Sequence, residues 1–115
     1  MAKIYSEEDL LNWIIGTRGL ATMLGWKSLH IRPARAIKHG EETYRTPVSG
    51  DGEGFPDLLL ARPPRLLLAE IKREDGKPSP QQSDWLDVLS RITNPPETFL
   101  WKPSDLDEIE EVLKW

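Results

Sequence analysis

Two apolar runs of strand length, Asp57 to Arg62 and Arg65 to Lys72, flank the dipeptide Pro63-Pro64, and each holds three consecutive leucines. Proline has no N–H to give to a ladder, so the pair cannot lie inside a central strand and instead connects two strands into a hairpin. With a two-residue connection Arg62 faces Arg65, and counting outward places Asp57 directly across from Glu70. Cross-strand neighbours have Cβ atoms ~5 Å apart. Side chains alternate with period two, so Asp57, Glu70 and Lys72 share one face, with Leu59, Leu66 and Leu68 behind them. Two carboxylates and an ammonium therefore crowd one end of an otherwise apolar hairpin.

Like charges directly opposite one another are destabilising unless a cation sits between them. A hard divalent ion fits, because Mg²⁺ takes one or two carboxylates and completes its shell with waters and substrate phosphate oxygens. Lys72, two residues beyond Glu70 on the same strand, is placed to orient or help deprotonate an attacking water and to offset phosphate charge. Strand ends also carry charge simply because they reach solvent, and Glu70-Ile71-Lys72 alone is a weak signal. Its combination in facing register with Pro56-Asp57 and the leucine hairpin is much stronger.

At 115 residues, without internal repeat or long linker, the chain reads as one domain, residues 1–115, with a single core. It has no cysteine, which excludes disulfides, thiolate zinc sites and a cysteine nucleophile. No apolar run approaches the ~20 residues of a membrane span and the start lacks a signal pattern, so the expected location is the cytoplasm, without membrane contact. The net charge of −4 argues against a surface that grips nucleic acid all over. Charge is nonetheless segregated. From Lys27 to Gly40 come Lys27, Arg32, Arg35 and Lys38, with His30 and His39 and no acid, while Asp105, Asp107, Glu108, Glu110 and Glu111 fall on one C-terminal helix. Lys27, His30, Arg32, Arg35, Lys38 and Arg45 are the candidate phosphate-binding residues, although an ordinary solvated loop has the same composition.

Ser6, followed by Glu7, Glu8 and Asp9, reads as an N-cap with acids in the first turn. Apolar residues at helical spacing then predict one helix from about Ser6 to Leu24, weakened by Gly16 and Gly19 and ended by Gly25. Trp26 to Arg32 reads as a strand, whereas Arg35 to Gly54 has no convincing periodicity and reads as a long substrate-contacting loop. After the hairpin, Ser79 caps a helix whose first residue is Pro80, with Trp85, Leu86, Leu89 and Ile92 on one face. Gln82 is its capping-box partner, and it also points along the buried face toward the sheet, so it is assigned to both cap and site. Glu97 to Trp101 reads as a fourth strand, and Ser104 as the cap of a last helix. The predicted order is helix-strand-strand-strand-helix-strand-helix, an α/β fold with a mixed central sheet flanked by helices.

With these residues in hand, the chain resembles the VRR-NUC family of the PD-(D/E)xK nuclease superfamily, small stand-alone forms of which occur in phages and bacteria. The resemblance covers nearly the whole chain. It rests on Glu7 in the first helix, Gly25-Trp26 with His30, Gly54-Phe55-Pro56-Asp57, Glu70-Ile71-Lys72, Ser79-Pro80-Gln81-Gln82 leading to Trp85-Leu86, and Trp101-Lys102-Pro103-Ser104-Asp105. It implies a restriction-endonuclease-like core and phosphodiester hydrolysis with Mg²⁺ or Mn²⁺ held by Asp57, Glu70 and the backbone carbonyl of Ile71, with Lys72 beside the attacking water. It also implies a glutamate from the first helix. Spacing favours Glu7, three, four and seven residues before Leu10, Leu11 and Ile14, over Glu8, although the helix dipole favours any first-turn acid.

Stand-alone relatives resemble junction-resolving enzymes, so the expected role is a structure-selective endonuclease on branched DNA in replication, recombination or repair. Because one small domain cuts one strand while resolving a junction takes two cuts, a homodimer is expected, with Trp13, Trp101 and Trp115 as candidate interface residues alongside their equal fitness for core packing. The competing reading is a nucleic-acid-binding accessory module without turnover, against which the intact trio Asp57, Glu70 and Lys72 argues. Sequence-specific restriction would need base-reading elements for which the chain leaves little material.

Overall fold

The computed structural model describes residues 6–31, 34–38, 41–45 and 52–115, the two short middle segments by their backbone alone. The elements are α1 (Glu7–Ile15), α2 (Leu20–Met23), β1 (Lys27–His30), β2 (Ala34–Lys38), β3 (Glu41–Arg45), β4 (Leu58–Arg62), β5 (Arg65–Ile71), α3 (Pro80–Ser90), β6 (Glu97–Trp101), a 3₁₀ turn over Pro103–Asp105, and α4 (Leu106–Lys114).

The fold is α/β, built on a mixed four-stranded sheet in the order β1-β4-β5-β6. The first two pairings are antiparallel, and β5 and β6 run parallel, which requires a crossover that α3 supplies. Pro63-Pro64 forms the two-residue connection expected of it. Arg62 pairs with Arg65 and Leu58 with Ala69, so the next step of that register sets Asp57 opposite Glu70.

Period-two alternation sorts the sheet into two faces. Leu58, Leu60, Leu67, Ala69, Ile71 and Trp101 lie on one of them and form a single buried cluster with Leu10, Leu11 and Ile14 of α1 and Ile109 and Leu113 of α4. Glu70 points to the opposite face, where α3 packs.

The facing arginines at the hairpin tip are kept apart by what each binds. Trp26 donates its indole N–H to the Leu113 carbonyl at 2.8 Å, and the Arg62 and Arg65 guanidinium carbons lie 4.5 and 5.0 Å from its ring centre. Arg62 donates to the Leu24 carbonyl at 3.0 Å. Arg65 donates to the Val112 carbonyl at 2.7 Å and makes a two-pronged pair with Glu97 at 2.8 and 2.7 Å. Two helix C-terminal ends are thereby supplied with cationic donors.

Several expectations are corrected. The single helix from Ser6 to Leu24 is two helices broken over Gly16–Gly19, because Gly16 leaves helical geometry at ψ 174° and Gly19 serves as the second N-cap. The strand expected over Trp26 to Arg32 is the shorter Lys27–His30, and Arg32 lies outside the described residues.

The stretch read as a structureless loop contains β2 and β3, paired antiparallel from Ala34↔Arg45 to Lys38↔Glu41 as a two-stranded sheet of their own. The order therefore carries a second helix and two strands more than the seven-element reading. Alternation in this segment is too weak to see because a two-stranded ribbon does not require one continuous buried face.

Ile92 lies beyond the end of α3 and is 49% exposed. Ser104 does not cap α4: it sits in the 3₁₀ turn with its amide donating to Glu74 Oε2 at 2.9 Å, and the Asp105 carboxylate accepts from the Lys102 amide at 2.8 Å instead. Trp101 is fully buried and Trp13 packs against the core, which leaves only Trp115 of the three expected interface tryptophans at the surface. Among the described residues no helix is long and apolar enough to cross a membrane.

Candidate metal centre

The segment that delivers Asp57 is pinned to α3 before the strand begins. Gly54 has φ +86° and passes so close to the first turn of α3 that a Cβ there would lie 2.6 Å from the Gln81 backbone, so only glycine fits both the angle and the approach. Phe55 meets Trp85 edge-on with ring centres 5.0 Å apart, and Pro56 is fully buried. Asp57 then enters beside β5, where its Oδ2 accepts the Ile71 amide N–H at 3.0 Å, while its own backbone carbonyl accepts from Ile31 at 2.9 Å. The carboxylate thus closes the end of the ladder with one oxygen, a role that needs no metal.

Glu70 is 1% exposed and is the one buried charged side chain among the described residues. Its Oε1 accepts from Gln82 Nε2 at 2.8 Å and lies 3.8 Å from Lys72 Nζ, while Oε2 is buried without any donor. Burial first, then the charge of the facing Asp57, push the Glu70 carboxyl up to about 8, with Lys72 pulling down and Glu7 adding the smallest part of the rise. At neutral pH the Glu70 carboxyl is therefore held mostly protonated.

That arrangement suits a cation in place of the proton. Two adjacent carboxylates, one with a buried oxygen lacking a donor, could hold Mg²⁺ or Mn²⁺, with a third oxygen from the Ile71 carbonyl and waters to complete the shell. Among the described residues no group of three or more His, Cys, Asp or Glu side chains is gathered closely enough to hold a metal, so any ion here leans on backbone and water oxygens.

Gln82 fills both roles read for it. Its Oε1 accepts from the Ser79 amide at 2.7 Å and Ser79 Oγ accepts from the Gln82 amide at 3.2 Å, which completes the capping box, while Nε2 reaches Glu70. One side chain thereby fixes the start of α3 and the orientation of Glu70. Gln82→Ala should remove both bonds and leave Glu70 Oε1 short of a donor, lowering stability by about 1–3 kcal/mol in a thermal or urea melt.

Glu7 and Glu8 are both exposed at the start of α1, so burial does not separate them. Electrostatics does: Glu7 is among the charges that raise Glu70 and Glu8 is not.

The expected phosphate-binding set is less coherent. His30 sits at the carboxylate end of β1, paired with Leu58, whereas Lys27 pairs with Ala61 at the far end, about 10 Å along the strand. Arg35, Lys38 and Arg45 fall on β2 and β3, and Arg32 outside the described residues. The acid-free run is moreover paired against a strand bearing Glu41 and Glu42, so charge segregation along the chain does not survive pairing. The docking of Phe55 on Trp85 and the clamp on Trp26 were not foreseen. For the clamp, the arginines flanking Pro63-Pro64 were the available signal.

The chain matches no protein-family model, no curated protein and no solved structure.

Proposed function

We propose that this protein is a metal-dependent DNA endonuclease of the PD-(D/E)xK type, with a VRR-NUC-like, restriction-endonuclease-like core, hydrolysing phosphodiester bonds in branched DNA during replication, recombination or repair. The observation that carries the reading is the Asp57–Glu70 pair: two carboxylates in facing register, one of them buried with an oxygen that meets no donor, and Lys72 beside them. A cation bound by Asp57, Glu70 and the Ile71 carbonyl would supply charge neutralisation at the phosphate and a more acidic water.

The chain's own residues do the rest. Gln82 holds Glu70 in its rotamer, the Ile71 amide holds Asp57, and Lys72 is close enough to the pair to orient the attacking water and balance charge on the phosphate oxygens. Incubating the purified protein with labelled duplex, flap and four-way DNAs, with and without Mg²⁺ or Mn²⁺, tests the proposal, and cleavage confined to the metal-containing lanes with preference for the branched substrates is expected. No cleavage of any substrate with either metal would leave the accessory-module reading.

Glu7 is assigned to the site as a supporting carboxylate. Glu7→Gln should lower the cleavage rate at least tenfold and Glu8→Gln less than twofold, since only the former charge acts on Glu70. The reverse ranking in single-turnover assays would remove Glu7 from the site.

A homodimer is proposed to supply the paired cuts. Its apolar surface would come from residues left exposed, Trp115 at 78%, Met23 at 75% and Leu29 at 54%, in place of the buried Trp101 and the partly buried Trp13. Sedimentation equilibrium at micromolar concentration should give about twice the chain mass of 13.2 kDa. A monomer that still nicks DNA would leave a simple nickase.

A further inference from the structure

We infer that Gly54 is a positioning residue for the Asp57–Glu70 pair: seated on the first turn of α3, it fixes where Asp57 stands relative to Glu70, so that one helix start holds both carboxylates. That the pair holds a metal rests on the nuclease reading, whereas the seat does not.

The two carboxylates reach the same turn by separate routes. Gln82 ties Glu70 to it, since its Nε2 donates to Glu70 Oε1 at 2.8 Å while its Oε1 accepts the Ser79 amide N–H at 2.7 Å. Gly54 ties Asp57 to it through the backbone. With φ at +86°, a Cβ on Gly54 would lie 2.6 Å from the Gln81 carbonyl carbon, 2.6 Å from the Gln81 Cβ and 2.8 Å from the Gln82 nitrogen. Two of these three atoms are helix backbone, which has no free end to swing aside.

Little slack separates that seat from the carboxylate. The Phe55 amide donates to the Gly52 carbonyl at 3.1 Å, the Phe55 ring meets Trp85 of α3 with ring centres 5.0 Å apart, and Pro56 is fully buried with its φ fixed by the ring. Asp57 lies just beyond the last pair of the β4–β5 ladder, Leu58↔Ala69, so that ladder alone does not place its side chain. A displacement at Gly54 is therefore passed on to Asp57.

The size of the displacement decides the effect. Moving an added Cβ from 2.6 Å out to ordinary contact at 3.4 Å takes a shift of about 0.8 Å. Ligand constellations work within about 0.5 Å of their productive geometry, and Mg²⁺ demands a near-ideal octahedron. One methyl group at this position is enough to spoil the pair.

The test reads the position of Asp57 without metal, by amide hydrogen exchange. Asp57 accepts the Ile71 amide on Oδ2 at 3.0 Å and the Ile31 amide on its carbonyl at 2.9 Å. In Gly54→Ala these two amides should exchange at least tenfold faster, while those of Leu60 and Leu67 in the middle of the sheet change less than twofold. Gly54→Asn should behave like Gly54→Ala, because asparagine tolerates a positive φ but still brings a Cβ to the helix. The dissociation constant for Mn²⁺, read from the free ion by electron paramagnetic resonance, should rise at least tenfold in both. Should neither variant fold, Phe55→Leu, which keeps an apolar side chain but loses the ring edge on Trp85, should move the same two amides and the Mn²⁺ constant by about threefold.

Unchanged exchange at Ile71 and Ile31, equal acceleration across the whole sheet, a Gly54→Asn variant that behaves as the natural protein, or Mn²⁺ binding as tight in the variants as in the natural protein would each overturn the inference. A natural protein that binds no Mn²⁺, with the selective acceleration at Ile71 and Ile31 still seen in Gly54→Ala, would sink the nuclease reading and leave the seat of Asp57 standing.

Discussion

Asp57→Ala and Glu70→Ala should each abolish metal-dependent DNA cleavage, a loss of at least about a thousandfold, or roughly 4 kcal/mol of transition-state stabilisation, while the fold is retained. If both side chains serve one ion position, as proposed, the double variant should be no worse than either single one. Lys72→Ala should also be severely impaired, because its ammonium lies beside the pair, 3.8 Å from Glu70 Oε1.

The more discriminating variant is Glu70→Gln. It keeps the shape and an oxygen to accept from Gln82 but removes a buried carboxyl that faces another carboxylate. Without metal it should melt at least as high as the natural protein while cleaving nothing, the behaviour of a residue kept for function at a cost in stability. A Glu70→Gln protein that is less stable and still cleaves would show the carboxylate to be structural. Retained turnover in Asp57→Ala would remove the site assignment altogether.

The second large effect is on stability, and its sign depends on pH. Glu70 titrates near 8 in the folded protein against 4.5 as its ordinary value. The folded state therefore holds more protons than the unfolded state between those values. Its relative stability is fully present below about 4.5 and is lost as pH rises toward and through 8, by on the order of 5 kcal/mol.

Added Mn²⁺ should reverse this. A cation that replaces the Glu70 proton binds best where that carboxyl is ionised, so millimolar Mn²⁺ should raise the melting temperature little at pH 5.5 and by about 10 °C at pH 8. Asp57→Asn should blunt the metal shift and flatten the pH dependence, since it removes both a ligand and the facing charge. A melting curve indifferent to metal at pH 8 would show that the carboxylates only mark the end of a strand.

The centre of the site was legible because its determinants are local. Pro63-Pro64 leaves the chain one way to turn, the turn sets Arg62 against Arg65, and period-two counting then carries Asp57 to Glu70 without reference to the rest of the molecule. The cap of α3 is similarly local, since Ser79 and Gln82 satisfy each other across three residues. Residues 34–45 were not legible. Their pairing is fixed by a two-stranded ladder with no amphipathic requirement, and runs of Lys, Arg and Glu in such a ribbon look like loop. The break in the first helix was visible as two glycines, but whether they weaken a helix or end it depends on what lies beneath them.

The sequence by itself determined the hairpin register, the identity of the two facing carboxylates and the capped helix that follows. Only the tertiary structure decided that Glu70 is sealed from solvent, that Gln82 turns its second polar group to it, that Trp101 is buried in the core and that Trp13 packs against it. Turn geometry, caps and strand alternation are set by neighbours a few residues away. Burial, and with it the acidity of a carboxyl, is set by whatever packs across the sheet, in this case a helix that begins at Pro80 and returns to cover Glu70.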